Sequence, residues 1–167
     1  MTAVAPLSPR LPSPAVAAAC RHAAATYPDE CCGFIRRSGA VHLAENAHHP
    51  GSSGAPELRG RSKDRAFTIA GRDLYALNAS FGSADPATCI FHSHPDAGAY
   101  FSEADIAEAL YCGQPKYPVE HMVISVIGGA PVQVALFRWD GTAFRCTGRE
   151  PVRDETYFPP ASEGKRL

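Results

Sequence analysis

At 167 residues, 45% of them hydrophobic and 20% charged, the chain has the balance of a soluble globular protein able to bury one core. Its net charge of −1 excludes a bulk electrostatic pull toward nucleic acid or anionic membrane. No stretch is apolar for long enough to span a bilayer.

Residues 1–13 are proline-rich and expected to be a disordered N-terminal segment. A superficial lipoprotein-like string, Ala17-Ala18-Ala19-Cys20, lacks the apolar run it needs, because Pro6, Pro9, Pro12, Pro14 and Arg10 interrupt it. The expected location is therefore the cytoplasm. Ser13-Pro14 reads as a helix start, and Val16, Ala19, Cys20, Ala23, Ala24 and Tyr27 recur at helical spacing before Pro28 ends the element. Residues 30–37 and 40–45 read as a hairpin about Ser38-Gly39. The stretch 46–65, rich in Gly, Ser, Pro and charge, reads as a long loop of the kind that is functional or mobile.

A second helix is expected over 73–81, with Leu74, Leu77 and Asn78 on one side, and a buried strand over 87–92. A third helix is expected from Ser102 to about Cys112. Residues 121–127, 132–139 and 143–147, joined at Gly128-Gly129 and Asp140-Gly141, read as an antiparallel meander. The expected fold class is α/β in the α+β sense: a mixed, largely antiparallel sheet flanked by helices, spanning 14–149, followed by a polar tail over 150–167.

Six cysteines are present. Cys20, Cys89, Cys112 and Cys146 are isolated and Cys31-Cys32 are adjacent, so no Cys-x-x-Cys exists to make a zinc ribbon or a redox motif. They read as small buried hydrophobes.

The chemistry lies in Phe91-His92-Ser93-His94-Pro95, followed by Ser102-Glu103-Ala104-Asp105. Histidines at i and i+2 of a strand point to one face, so both imidazoles can reach one ion. Asp105 falls in the first turn of the next helix, where its carboxylate can supply a third donor. Nitrogen and oxygen donors without thiolate suit zinc, with iron and manganese left open by donor type. Ser102-x-x-Asp105 is at the same time a capping-box variant, and a cap that holds the helix start still is compatible with a ligand there. Glu30, at the mouth of the first strand, can supply a base if that strand neighbours 87–92.

Glu30-Cys31-Cys32-Gly33-Phe34-Ile35, His92-Ser93-His94-Pro95 and Ser102-Glu103-Ala104-Asp105 together resemble the signature of the JAMM (MPN-plus) metalloproteases, here as a small prokaryotic member. The spacing agrees, with residues 95–104 between the second histidine and the aspartate. The resemblance implies a cytidine-deaminase-like MPN/JAMM fold and one Zn²⁺ per chain on His92, His94 and Asp105. It also implies Glu30 as general base and Ser102 as donor to the oxyanion. The implied activity is hydrolysis of a peptide or isopeptide bond after the C-terminal Gly-Gly of a ubiquitin-like or sulfur-carrier protein.

Ser93 is expected to be structural, facing away from the ligands. Gly33 is expected either to allow close packing beside the site or to mark a bend. Arg59, Arg61 and Arg65, in the 46–65 loop, are candidate contacts to an acidic partner. His22, His42, His48, His49 and His121 are left without a metal role. Two rival readings are a catalytically silent MPN-type scaffold that binds partners and a DNA-associated relative. The filled base and ligand positions disfavour the first, and the near-neutral charge disfavours the second.

Overall fold

The computed structural model describes residues 13–51 and 55–153. Residues 1–12 of the expected N-terminal segment and 154–167 of the expected tail lie outside the described residues.

Helix α1 (Ser13–Thr26) carries Pro14 in its first turn and is alanine-rich. Proline costs little there, because an N–H in the first turn has no helical partner. Ala15, Val16, Ala19, Cys20 and Ala23 are buried, largely the stripe expected from the spacing. Strands β1 (Cys32–Arg36) and β2 (Val41–Ala44) pair antiparallel. Gly39 in the turn takes φ 91°, a left-handed conformation that a side chain disfavours. Strand β1 begins two residues later than expected, so Glu30 lies just ahead of it.

Helix α2 (Gly71–Ser80) buries Leu77 and Ser80, whereas Asn78, expected on the inner side, is exposed and bonds back to the Leu74 carbonyl. Strand β3 (Ala87–Pro95) is longer than expected and includes both histidines of the motif. Helix α3 (Glu103–Ala109) is shorter than expected and stops before Cys112. Its end gives way to a two-stranded ribbon, β4 (Leu110–Tyr111) and β5 (Gln114–Pro115). Cys112 at φ 50° and Gly113 at φ 75° make the two-residue turn, and two successive positive φ values suit such a hairpin but end a helix. Strands β6 (Glu120–Ile127), β7 (Ala130–Trp139) and β8 (Phe144–Pro151) form the expected meander, with β8 running past the expected strand end at 147.

One six-stranded sheet has the order β2-β1-β3-β6-β7-β8, in which β3 and β6 are parallel and the other neighbours antiparallel. Alternation along the strands sorts two layers. One face packs α1 against Cys31, Ile35, Cys89, Phe91, Met122, Ile124, Val134 and Leu136. The other face places Phe34, Ile90 and Val119 against Leu77 of α2, and Val123 and Ala135 against Ala99 and Phe101. The mixed, largely antiparallel sheet flanked by helices is the architecture expected from the sequence. Among the described residues no helix is long and apolar enough to cross a membrane.

Two smaller expectations change. Gly33 does allow close packing, but on the α1 face: a Cβ there would lie 2.5 Å from the Phe91 ring and 2.3 Å from the His42 carbonyl. The side away from the histidines is what needs the glycine. Of the six cysteines, Cys112 and Cys146 are exposed rather than buried, and all six are free thiols.

Candidate metal centre

The crossover from β3 to β6 builds the site. His92 and His94 share the α2–α3 face of β3, and the turn after Pro95 brings α3 back across them. Ser102 caps α3: its Oγ accepts from the Asp105 N–H at 3.1 Å, while its own N–H donates to Asp105 Oδ2 at 2.9 Å. The reciprocal cap holds the Asp105 carboxylate over the two rings.

Three donor atoms converge. His92 Nε2 and His94 Nε2 are 3.1 Å apart, and each lies 3.2 Å from Asp105 Oδ2. A tetrahedral ion with bonds of ~2.0–2.1 Å requires ligand–ligand edges of roughly 3.3 Å. His92 is wholly buried, and His94 and Asp105 nearly so.

Proton bookkeeping strengthens the fit. His94 Nδ1 lies 3.0 Å from the Gly98 carbonyl, an acceptor only, so it carries the ring proton and leaves Nε2 as a bare lone pair in the neutral imidazole. Asp105 Oδ2 is likewise an acceptor. Burial holds His92 below its ordinary pKa, against the pull of the Asp105 charge. With a neutral His94 ring, its Nε2 and Asp105 Oδ2 would both be acceptors at 3.2 Å, an arrangement that a cation between them relieves. The residues His92, His94 and Asp105 can hold a metal ion.

Glu30 stands beside this triangle. Cys32 pairs with His92 across the β1–β3 ladder, and the Ser93 N–H donates to the Cys31 carbonyl at 3.2 Å. Continuing that register places Glu30 opposite His94 and on the same face. Glu30 is 5% exposed, and its Oε2 is buried without a hydrogen-bond partner among the described residues. Burial pushes its carboxyl up to about 9; the Asp105 charge adds to the shift and Arg61 opposes it. For Asp105, burial works upward too, but the two imidazoles and their hydrogen bonds outweigh it and hold the carboxyl below its ordinary range.

Glu30, His94, Ser102 and Asp105 line a cleft of about 440 Å³, together with Arg61, Arg65 and Tyr100. Of the three arginines singled out by sequence, Arg61 and Arg65 reach this cleft and Arg59 does not line it. Ser93 sits between the two histidines and points the other way, where its Oγ accepts the Cys31 N–H at 2.7 Å.

The stretch expected as a structureless loop is tied down at its ends. Asn46, 6% exposed, donates through Nδ2 to the carbonyls of Glu30 and Ala66, each at 3.0 Å, and accepts through Oδ1 from the N–H groups of His48 and Thr68. His48, equally buried, bridges the Arg61 carbonyl and Thr68 Oγ1. The Glu30 N–H donates to the Lys63 carbonyl at 2.8 Å. Neither Asn46 nor His48 carries a sequence signal for this role, because apart from the His48 N–H, two residues from Asn46, their partners are 13 to 22 residues away in the chain. The short stretch Pro56–Leu58 forms a 3-10 turn and buries Leu58. Gly98, whose carbonyl orients His94, was equally invisible, since any residue offers a carbonyl.

A mixed sheet with a His-His-Asp donor set at a parallel crossover defines a domain of the JAB/MPN class. The family of prokaryotic homologs of the JAB domain matches residues 12–140, and the chain belongs to it. No curated protein matches the chain. Among solved structures, it is similar to a solution structure of a Desulfitobacterium hafniense protein, with 20% identity, 79% of this chain and 81% of that chain covered, and a TM-score of 0.47. A Salinibacter ruber protein, also a solution structure, shares 23% identity over 77% of this chain and 80% of that chain, with a TM-score of 0.43.

Proposed function

We propose that the protein is a zinc-dependent JAMM-type peptidase that hydrolyses the peptide or isopeptide bond after the C-terminal Gly-Gly of a ubiquitin-like or sulfur-carrier protein. The observation that carries the reading is the triangle of His92 Nε2, His94 Nε2 and Asp105 Oδ2, with sides of 3.1–3.2 Å, beside a buried, unpartnered Glu30. A divalent ion such as zinc supplies Lewis-acid polarisation of a carbonyl and makes water more acidic.

The chain's own groups then have distinct tasks. Glu30 takes a proton from the attacking water and hands it to the departing amine; burial pushes its carboxyl up to about 9 although Arg61 opposes the shift, and a cation on the donor triangle would favour the ionised form that a base needs. In the cap, Ser102 Oγ uses only a lone pair toward the Asp105 N–H, so its own proton remains free to donate to the developing oxyanion. The Gly98 carbonyl fixes the His94 ring, and the cap fixes Asp105. Neutral His92 and ionised Asp105 are the protonation states in which these groups can serve as ligands.

The deciding experiment measures metal content of the purified protein, then hydrolysis of a ubiquitin-like carrier extended beyond its Gly-Gly, followed by mass spectrometry. The expected result is close to one zinc per chain, with cleavage directly after Gly-Gly that a chelator abolishes and zinc restores. A metal-loaded protein that leaves every such carrier intact would instead favour a partner-binding scaffold.

A further inference from the structure

The loop that follows β3 is tied residue by residue to different parts of the fold. The Asp96 N–H donates to the Val126 carbonyl at 2.6 Å. Its carboxylate accepts from Tyr27 Oη at 2.7 Å through Oδ2 and from the Gly128 N–H at 2.8 Å through Oδ1. Ser125 Oγ, on β6, donates to the Ala97 carbonyl. Arg149 Nη1, from β8, donates to the Ala99 carbonyl at 2.7 Å and to Gln133 Oε1 at 2.9 Å. Between these anchors lies the Gly98 carbonyl, 3.0 Å from His94 Nδ1.

Asp96 is the unusual member. Its φ of 53° is left-handed, a conformation that most side chains disfavour and that aspartate tolerates better than most. The carboxylate spans two donors from segments far apart in the chain, and so holds a bend that the backbone alone does not favour. One donor, Tyr27, directly follows α1, which packs on the face of the sheet opposite to His94. Its ring lies beside Gly129 in the β6–β7 turn, so the same side chain touches both segments that pin Asp96. The orientation of a ligating imidazole is set by the bond its other nitrogen makes. A backbone carbonyl fixes the ring only if its loop is itself fixed.

We infer that Asp96, clamped by Tyr27, is a positioning residue for the metal centre. It fixes the bend that aims the Gly98 carbonyl at His94 Nδ1, and thereby ties metal affinity to the end of α1 on the other face of the sheet. The inference rests on the metal centre described above and is independent of the substrate. Because Ser125 and Arg149 hold the loop on either side of Gly98, losing the clamp loosens the aim without unfolding the loop.

The test compares full-length wild type with Tyr27→Phe, Asp96→Gly and Asp96→Asn, with thermal melts to establish folding. Tyr27→Phe deletes one hydroxyl. Asp96→Gly deletes the carboxylate yet accepts the left-handed backbone, so strain does not confound it. Asp96→Asn keeps an acceptor for the Gly128 N–H and gains an amide able to donate to Tyr27 Oη. Zinc affinity is read by competition with a chromophoric chelator, and the His94 ring by heteronuclear NMR of the metal-free protein. The zinc Kd should rise about tenfold in Asp96→Gly, the lower end of the range for groups that orient a ligand. It should rise less in Tyr27→Phe and be partly restored in Asp96→Asn. The His94 Nδ1–H signal, protected from exchange in wild type, should exchange faster in Asp96→Gly. Either wild-type zinc affinity or an unchanged His94 signal in Asp96→Gly, whatever its Tm, overturns the inference and leaves Asp96 a role in stability alone. If wild type binds no zinc, the metal-centre reading fails, and the His94 signal alone decides whether Asp96 aims the carbonyl.

Discussion

The backbone N–H of Cys31 donates to Ser93 Oγ at 2.7 Å, so the residue between His92 and His94 also anchors the residue after Glu30. The carboxyl and the donor triangle come from segments some 60 residues apart, and this bond is one of the ties that keeps them in register. Ser93→Ala should remove it and leave a buried N–H unpaired, costing about 1–3 kcal/mol of stability. Metal content should persist while kcat falls, because the ligands stay and Glu30 shifts. Metal analysis beside kinetics and a thermal melt checks all three.

Glu30→Gln should slow hydrolysis by roughly 10²–10⁴, the usual scale for a general base, with metal retained. Full turnover in that variant would take Glu30 out of the chemistry. The same variant tests the buried carboxyl in metal-free protein. Its pKa rises from 4.5 to about 9 on folding, so between those values the folded state keeps a proton that the unfolded state releases. The associated stability is complete below pH 4.5 and is lost as pH rises toward about 9. The slope is at most ~1.4 kcal/mol per pH unit, a few degrees of Tm for a chain of this length. The Tm of Glu30→Gln minus that of wild type should therefore widen between about pH 6 and pH 8. Groups common to both proteins cancel in the difference.

Asp105 serves as cap and as donor, and two substitutions separate the roles. Asp105→Asn keeps an oxygen for the Ser102 N–H but loses the charge, so metal binding should weaken sharply with little loss of helix stability. Asp105→Ala should lose both, with a further cost of about 1 kcal/mol from the cap. Metal stoichiometry and Tm, measured together, distinguish the cases; equal metal content in all three proteins would remove Asp105 from the ligand set.

Asn46→Ala should be among the most damaging substitutions outside the site. It strips partners from the carbonyls of Glu30 and Ala66 and the N–H groups of His48 and Thr68, at a cost of roughly 3 kcal/mol or more. Hydrogen exchange should also quicken at the His48 and Thr68 N–H groups, which donate to Asn46 Oδ1. Unchanged exchange there would mean the segment is held by other contacts.

Thiol titration reads the fold directly. Cys112 and Cys146 are exposed, whereas Cys20, Cys31, Cys32 and Cys89 are buried with their thiols pushed up by burial. In the native protein a thiol reagent should label two residues quickly and the other four only on unfolding. Rapid labelling of Cys31 or Cys32 would mean that β1 is not seated against its neighbours.

What the sequence determined by itself is the candidate donor set and most of the layers. Two histidines spaced for one face of a strand, and a Ser-x-x-Asp that starts a helix, are local patterns whose geometry follows from the backbone period. The alanine stripe of α1 and the Gly128-Gly129 and Asp140-Gly141 turns of the meander were legible for the same reason. The ends of elements were less so. Helix α3 stops early because Leu110 turns extended and enters the β4–β5 ribbon, whose turn holds Cys112 and Gly113 in left-handed conformations.

Tertiary structure alone decided how the loop after β2 is braced, which arginines reach the cleft, and that Glu30 is buried rather than exposed. Each depends on hydrogen bonds or burial between segments distant in the chain. Asn46 and His48 look like any polar residues until the carbonyls they hold arrive. A local pattern can say which atoms are able to bind; only the packing of remote segments says where they meet.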